Sequence, residues 1–158
     1  SKLSNENFLE FMKKRKYDST PTLVGVTKAK VRFSEVDSMK IVWHGSYVKY
    51  FEDGREAFGR EYPGIGYLDI YASGYMTPIV DLQIQYLNPL TIDDDIIIET
   101  KYIQTPAAKI CFEYLIRKSD SNIIVARGSS VQVFIDNNGE MCLNNPPFYE
   151  KWKEKWIK

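Results

Sequence analysis

One long segment of the chain has helical periodicity, and the segments that follow it alternate with a period of two. From about Ser46 to Tyr62, large apolar residues recur at helical spacing, and Pro63-Gly64 ends the pattern. Four strand-like segments follow and are joined by short turns: 80–86, 96–103, 110–117 and 123–135. Because short turns join antiparallel neighbours, we predict an α+β fold with one helix against an antiparallel sheet.

A fifth strand is predicted before the helix, from about Thr27 to Glu35, where Ala29, Val31 and Phe33 alternate with charged residues. The helix should bury one apolar face against the sheet. That face consists of Tyr47, Tyr50, Phe51, Gly54 and Phe58. Gly54 lowers helix propensity by about 1 kcal/mol. We therefore expect close approach of the helix to the sheet at this residue.

The length of 158 residues suits one domain with short additions at its ends. We predict a helix from about Ser4 to Lys16 and a linker within residues 1–22, a single domain over 23–147, and a helical tail over 148–158. A five-stranded sheet with one helix leaves open edges and an uncovered face. We therefore expect a homo-oligomer, because dimerisation hides such surfaces.

Composition and charge argue against several classes of protein. Lys plus Arg equal Asp plus Glu at 21 each, so the surface lacks the excess positive charge of a nucleic-acid-binding protein. No apolar run is long enough for a membrane span, and the N-terminus lacks the apolar segment of a signal peptide. One histidine and the two cysteines, Cys111 and Cys142, fit neither a metal site nor a disulfide scaffold. We expect a reduced, cytoplasmic protein without a metal site.

The break between the first strand and the helix is the candidate chemical site. It places the Asp37 carboxylate close to the beginning of a buried helix, where backbone N–H groups lack partners. A carboxylate beside such donors is the arrangement that hydrolysis of an acyl derivative requires. From spacing alone, an aspartate that only shapes a turn or caps a helix is the commoner interpretation.

The same stretch resembles the signature of the 4-hydroxybenzoyl-CoA thioesterase branch of the hot-dog fold superfamily. The matching pieces are Val31-Arg32-Phe33, Val36-Asp37, Ile41-Val42-Trp43-His44, Ser46-Tyr47 and Tyr50-Phe51-Glu52. Later pieces match in the same order: Met76 to Val80, Tyr86 to Leu90 with Asp93-Asp94, and Val131 to Asp136. The chain departs from the pattern at Lys40, where the family has glycine, and at Ser46, where it has asparagine.

The resemblance implies a hot-dog fold, in which a five-stranded antiparallel sheet wraps one central helix, and an acyl-CoA thioesterase activity. It assigns catalysis to Asp37, as nucleophile or general base, and to His44, whose backbone N–H binds the oxyanion. It assigns substrate contacts to Trp43, Ser46, Tyr47 and Thr77, the last across a dimer interface. The resemblance also implies that coenzyme A is part of the substrate, that no metal or redox cofactor is needed, and that the subunits form a homodimer or tetramer.

Two other functions stay open from the sequence. A non-catalytic protein that binds acyl-CoA or acyl carrier protein is compatible with the substitutions at Lys40 and Ser46. A hot-dog hydratase or dehydratase would need a histidine side chain working with a carboxylate, and His44 is the only histidine.

Overall fold

A single antiparallel sheet of five strands forms the framework, in the order β1-β3-β4-β5-β2. The computed structural model describes residues 21–157, and the helix predicted over Ser4 to Lys16 lies outside them. The strands are β1 (Pro21–Lys30), β2 (Ile79–Tyr86), β3 (Asp95–Ile103), β4 (Lys109–Lys118) and β5 (Ile124–Val133). The helices are α1 (Tyr47–Glu61), α2 (Tyr67–Ser73) and α3 (Pro147–Trp156). The predicted α+β fold of hot-dog type is confirmed.

The central helix α1 packs its predicted apolar face on the sheet, where Tyr50, Phe51 and Phe58 are at most 1% exposed. The close approach expected at Gly54 is also confirmed. A Cβ atom there would overlap Thr100 Oγ1 and lie 3.0 Å from Ile98 Cγ2, both on β3. Glycine is therefore required by the spacing between α1 and the sheet.

The first strand was predicted too late in the sequence. It ends at Lys30, where its ladder with β3 ends at Asp95, and Phe33 lies in a 3₁₀ turn with 82% of its surface exposed. The chain leaves the sheet because the Glu35 carboxylate accepts a hydrogen bond from the Arg32 N–H at 2.8 Å, which curls it into that turn. The strand begins at Pro21, inside the segment assigned to the linker.

The helix predicted over 148–158 is present as α3. Helix α3 is part of the core, since Tyr149 and Trp152 are nearly fully buried and the Trp152 Nε1–H donates to the Tyr62 carbonyl oxygen at 2.8 Å. The short helix α2 was not predicted. Between residues 21 and 157, no helix combines the length and apolar character needed to cross a membrane.

Candidate active site

Asp37 lies at the start of a tight loop closed by a β-bridge between Val36 and Val42. Its N–H donates to the Ile41 carbonyl oxygen at 2.9 Å, and its own carbonyl oxygen accepts from the Lys40 N–H at 2.9 Å. This is the pattern of a three-residue hairpin loop, whose last residue usually takes a left-handed conformation and is usually glycine. Lys40 occupies that position with φ 64°. A lysine therefore occupies the position of this loop that usually takes glycine.

The Asp37 side chain is held in one orientation. Its Oδ1 atom accepts a hydrogen bond from the Met39 N–H at 2.8 Å, and the residue is half-buried. This Asx turn is the structural role that the sequence left open for Asp37. Because only one carboxylate oxygen is bound in this way, the turn orients the carboxylate and leaves its other oxygen for a ligand.

Helix α1 is preceded by a 3₁₀ turn, His44–Ser46, that supplies backbone donors. The first hydrogen bond within it runs from the Ser46 N–H to the Trp43 carbonyl oxygen at 2.9 Å. The N–H groups of His44 and Gly45 precede that bond, so they have no partner within the turn. The turn is fixed from β2 by Tyr86, whose hydroxyl donates to the His44 carbonyl oxygen at 2.7 Å.

A cavity of about 310 Å³ lies between this loop and the end of β2. Three of the six predicted site residues line it: Asp37, His44 and Tyr47. Its other walls include Met39, Ile41, Val42 and residues 86–89. Burial, with a smaller contribution from Tyr86, raises the pKa of Tyr47 to about 12, so its hydroxyl stays protonated at neutral pH. The structure thus brings the proposed carboxylate and the start of the central helix to one cavity.

Trp43 and Ser46 do not line this cavity. The Trp43 ring is about half exposed and lies 5.0 Å from the His44 ring, centroid to centroid. Ser46 is 6% exposed, and its hydroxyl donates to the Glu35 carbonyl oxygen at 3.4 Å. In a single subunit, Ser46 therefore braces the loop, and the substrate contact assigned to it stays a prediction.

Thr77 lines a second and larger cavity, of about 750 Å³, at the opposite end of β2. The two cavities therefore lie at the two ends of this eight-residue strand, which spans roughly 23 Å at about 3.3 Å per residue. Thr77 is half-buried, and both its carbonyl oxygen and its hydroxyl accept from the Gln132 side-chain amide, at 2.9 and 3.3 Å. Within one subunit Thr77 does not meet Asp37.

Sequence reasoning missed three residues that shape these cavities. Glu35 was placed at the end of a strand, Tyr86 was treated as one of several alternating strand residues, and Arg55 was not singled out. Arg55 lines the second cavity with its side chain 18% exposed. Arg55 directly follows Gly54, where the helix contacts the sheet, and this position could have indicated that its side chain lies close to the sheet. Between residues 21 and 157, no group of three or more His, Cys, Asp or Glu side chains is arranged to hold a metal ion.

Comparisons with known proteins match this chain to a thioesterase-like family and to proteins named as thioesterases. A family described as the thioesterase-like superfamily matches residues 31–155. The YneP protein of Bacillus subtilis, whose name assigns it provisionally as an acyl-CoA thioesterase, is 34% identical over 77 residues, which are 49% of this chain and 55% of that protein. The acyl-acyl carrier protein thioesterase ATL3 of Arabidopsis thaliana is 30% identical over 108 residues, which are 68% of this chain and 56% of the ATL3 sequence. The chain thus spans about half the length of these curated relatives.

The fold is also found among solved structures. The 1,4-dihydroxy-2-naphthoyl-CoA thioesterase from Synechocystis superposes with a TM-score of 0.74, and the superposition covers 82% of this chain and 95% of the Synechocystis chain. The two sequences are only 17% identical, so this likeness concerns the fold alone.

Proposed function

Because this chain belongs to the thioesterase-like superfamily, we propose that it hydrolyses acyl-CoA thioesters to a free acid and coenzyme A. The observation that carries the proposal is the cavity that Asp37, His44 and Tyr47 line together at the start of α1. A carboxylate acts on the thioester carbonyl, while helix N–H groups stabilise the negative charge that develops on its oxygen.

Asp37 begins the reaction by one of two routes. As a nucleophile, its free carboxylate oxygen attacks the carbonyl carbon and expels the thiolate of coenzyme A, and water then cleaves the resulting mixed anhydride. As a general base, it takes a proton from a water molecule that attacks the same carbon, and the tetrahedral intermediate then collapses with cleavage of the C–S bond and release of the coenzyme A thiolate. The Asx turn with Met39 supports either route, because it fixes the carboxylate before the substrate arrives.

The N–H groups of His44 and Gly45 are the oxyanion donors in this proposal. Removal of one such donor typically costs about 2.7–4 kcal/mol of transition-state stabilisation. A side-chain substitution leaves the N–H in place, so His44→Ala should reduce turnover less than Asp37→Asn. The exposed imidazole of His44 assists from the cavity wall.

The complete site is formed by two subunits in this proposal. Strand β2 is at one edge of the sheet, and its apolar residues face outward, with Val80 59% and Leu82 39% exposed. Antiparallel pairing of β2 with β2 of a second copy would satisfy the free backbone groups of this edge and place these apolar residues beside those of the partner. It would also bring the Tyr86 end of one strand beside the Ile79 end of the other. The Asp37 cavity of one subunit would then adjoin the Thr77 cavity of its partner.

Asp37→Asn is the test of the proposed activity, with release of free thiol from a panel of acyl-CoA esters as the readout. We expect turnover to fall by about 10²- to 10⁴-fold, the usual contribution of a positioned base. Asp120→Asn is the matched control, because Asp120 is an exposed turn residue. Unchanged turnover in Asp37→Asn, with both variants folded, would remove Asp37 as the catalyst.

Two other results would favour the other functions. Tight binding of acyl-CoA without release of coenzyme A would identify a binding protein. Activity on an enoyl-CoA, with none on thioesters, would identify a hydratase.

The subunit arrangement is tested separately by sedimentation of Val80→Lys. We expect this charge on the outer face of β2 to dissociate the dimer and to lower activity at the same time. A monomeric wild-type protein that is fully active would exclude a shared site.

A further inference from the structure

The hydroxyl of Tyr47 is a polar group in the wall of the Asp37 cavity that no other described residue binds. Tyr47 is 3% exposed and lines this cavity, and within residues 21–157 its hydroxyl makes no hydrogen bond. Three buried side-chain atoms in the same part of the chain lack both a partner and contact with solvent: Arg55 Nε, Thr100 Oγ1 and Asn145 Oδ1. Because the Tyr47 oxygen is not one of them, it keeps accessible surface. The rest of the side chain is covered, so that surface is open to a ligand in the cavity.

The other polar side chains of the cavity wall are engaged or exposed. The Tyr86 hydroxyl donates to the His44 carbonyl oxygen at 2.7 Å. Asn88 is exposed, and its side-chain amide donates to a backbone carbonyl oxygen at 2.8 Å. The Asp37 carboxylate is an acceptor, and the His44 imidazole is exposed to solvent. Among these wall residues, Tyr47 therefore offers the buried donor that is free for a substrate.

The Tyr47 hydroxyl stays protonated while a thiol beside it ionises. Burial, with a smaller contribution from Tyr86, raises the pKa of Tyr47 to about 12. The reference pKa of a thiol is about 8.5. Tyr47 can therefore donate a hydrogen bond to a thiolate without losing its proton to it.

A hydrolase that uses a carboxylate as its nucleophile needs such a donor at the leaving group. Attack by Asp37 joins its oxygen to the thioester carbon and moves an electron pair onto the carbonyl oxygen, and this pair returns when a bond to the carbon breaks. The carboxylate is the better leaving group, because the reference pKa is about 3.9 for aspartic acid and about 8.5 for a thiol. The intermediate therefore returns to the substrate unless the charge on sulfur is stabilised.

We propose that the Tyr47 hydroxyl donates a hydrogen bond to the sulfur of coenzyme A as the C–S bond breaks and its electron pair leaves on sulfur. The thiolate takes a proton from water after its release, and Tyr47 keeps its own. This inference rests on the proposed function and on its nucleophilic route. Asp37 then acts on the carbon of the thioester, the His44 N–H on its oxygen and Tyr47 on its sulfur.

Titration of bound coenzyme A tests the inference without turnover. The NMR shift of the isotope-labelled carbon that is bonded to sulfur gives the ionisation constant of the bound thiol. We expect this constant to be about 10- to 100-fold larger in the wild-type complex than in the Tyr47→Phe complex, the ratio expected for one hydrogen bond to a charged group. Tyr114→Phe is the matched control and should leave the constant unchanged. Tyr114 is equally buried, but it does not line this cavity and its hydroxyl is bonded to Ser130.

The dependence on the leaving group tests the same role during turnover. For one acyl group, kcat/KM is compared between the coenzyme A thioester and the thiophenol thioester, whose more acidic aryl thiol leaves without a donor. Tyr47→Phe should lower kcat/KM about 10- to 100-fold on the first substrate and change it little on the second. His44→Ala should affect both substrates alike, which separates the imidazole from the Tyr47 hydroxyl. Because Tyr47→Phe breaks no hydrogen bond, it should unfold at the same urea concentration as the wild-type protein.

The inference is overturned if the bound thiol ionises equally in the wild-type and Tyr47→Phe complexes, or if Tyr47→Phe slows both thioesters equally. It is also overturned if the dependence on the leaving group appears in His44→Ala instead. Each of these results leaves the thioesterase activity in place when the wild-type protein releases thiol. The expected shift of the bound thiol, without hydrolysis of any thioester, contradicts the proposed function and keeps the thiolate site at Tyr47.

Discussion

The hydroxyl of Tyr50 donates a hydrogen bond of 2.9 Å to Glu35 Oε1, which joins the central helix to the loop that carries Asp37. The same carboxylate oxygen accepts from the Arg32 N–H at 2.8 Å, and the Glu35 carbonyl oxygen accepts from the Trp43 N–H at 2.8 Å. One residue thus ties together the end of the first strand, both sides of the Asp37 loop and the buried helix. The position of the Asp37 loop relative to α1 depends on this contact.

Removal of the Tyr50 hydroxyl should destabilise the fold and loosen the loop. Tyr50 is 1% exposed, so Tyr50→Phe leaves a partly buried carboxylate without one of its donors. We expect the free energy of unfolding in urea to fall by about 1.5–3 kcal/mol, as for other hydrogen bonds to charged groups. Tyr67→Phe is the control because Tyr67 is 78% exposed. Equal stability of the two variants would show that the contact contributes nothing.

Replacement of Lys40 by glycine should stabilise the protein. Lys40 has φ 64°, which costs roughly 1–2 kcal/mol for a residue with a Cβ atom. Glycine adopts this conformation freely, although it gains entropy in the unfolded chain, so we expect a net gain of about 0.5–1 kcal/mol. Lys49→Gly makes the same change inside α1 and should instead lose about 1 kcal/mol. Thermal denaturation of both variants measures the difference, and the same sign for the two would contradict the explanation.

Gly54→Ala should destabilise the chain even though alanine is the better helix former. The added methyl group would overlap Thr100 Oγ1, and overpacking of this kind typically costs about 1–3 kcal/mol. Thr100→Ala in the same chain removes the obstructing oxygen. The double variant should therefore unfold at a higher urea concentration than Gly54→Ala alone. Additive effects of the two substitutions would argue against a direct clash.

Stability should fall steeply above about pH 10. Burial raises the pKa of Tyr47, Tyr102 and Tyr114 to about 12 each, whereas tyrosines of the unfolded chain lose their protons near pH 10. The unfolded chain then binds fewer protons than the folded chain, so the stabilisation is complete below pH 10 and is lost as the pH rises towards 12. Each of these tyrosines should contribute about 1.4 kcal/mol per pH unit in that window.

Urea unfolding across this pH range measures the slope. Tyr102→Phe should make the slope shallower, because it removes one of the buried hydroxyl groups. A free energy of unfolding that stays flat above pH 10 would contradict the assigned burial of these hydroxyl groups.

Local periodicity predicted most of the fold. The apolar face of α1 and the alternation of β4 each appear in consecutive residues, so the sequence shows them directly. The first strand was misplaced because Val31 continues the alternation and is buried, yet it lies outside β1. The capping contact of Glu35 ends the strand there, and such a contact between backbone and side chain leaves no periodic signal.

The site was predicted in part, for a different reason. Asp37, His44 and Tyr47 are close in sequence at one loop and helix start, so a motif was enough to group them. Arg55 and Thr77 line the second cavity together although 22 positions separate them (77 − 55). Their proximity depends on how β2 returns along the sheet, and no local pattern encodes that path.

The indole N–H groups of Trp152 and Trp156 donate hydrogen bonds to the carbonyl oxygens of Tyr62 and Pro63, respectively, which lie about ninety positions earlier in the chain. During synthesis on the ribosome, the end of the central helix therefore has no indole to cover it until residue 156 has left the exit tunnel. A nascent chain stalled before that point holds all five strands but keeps this part of the core open to water. Such arrested chains are the forms of this protein that chaperones would be expected to retain.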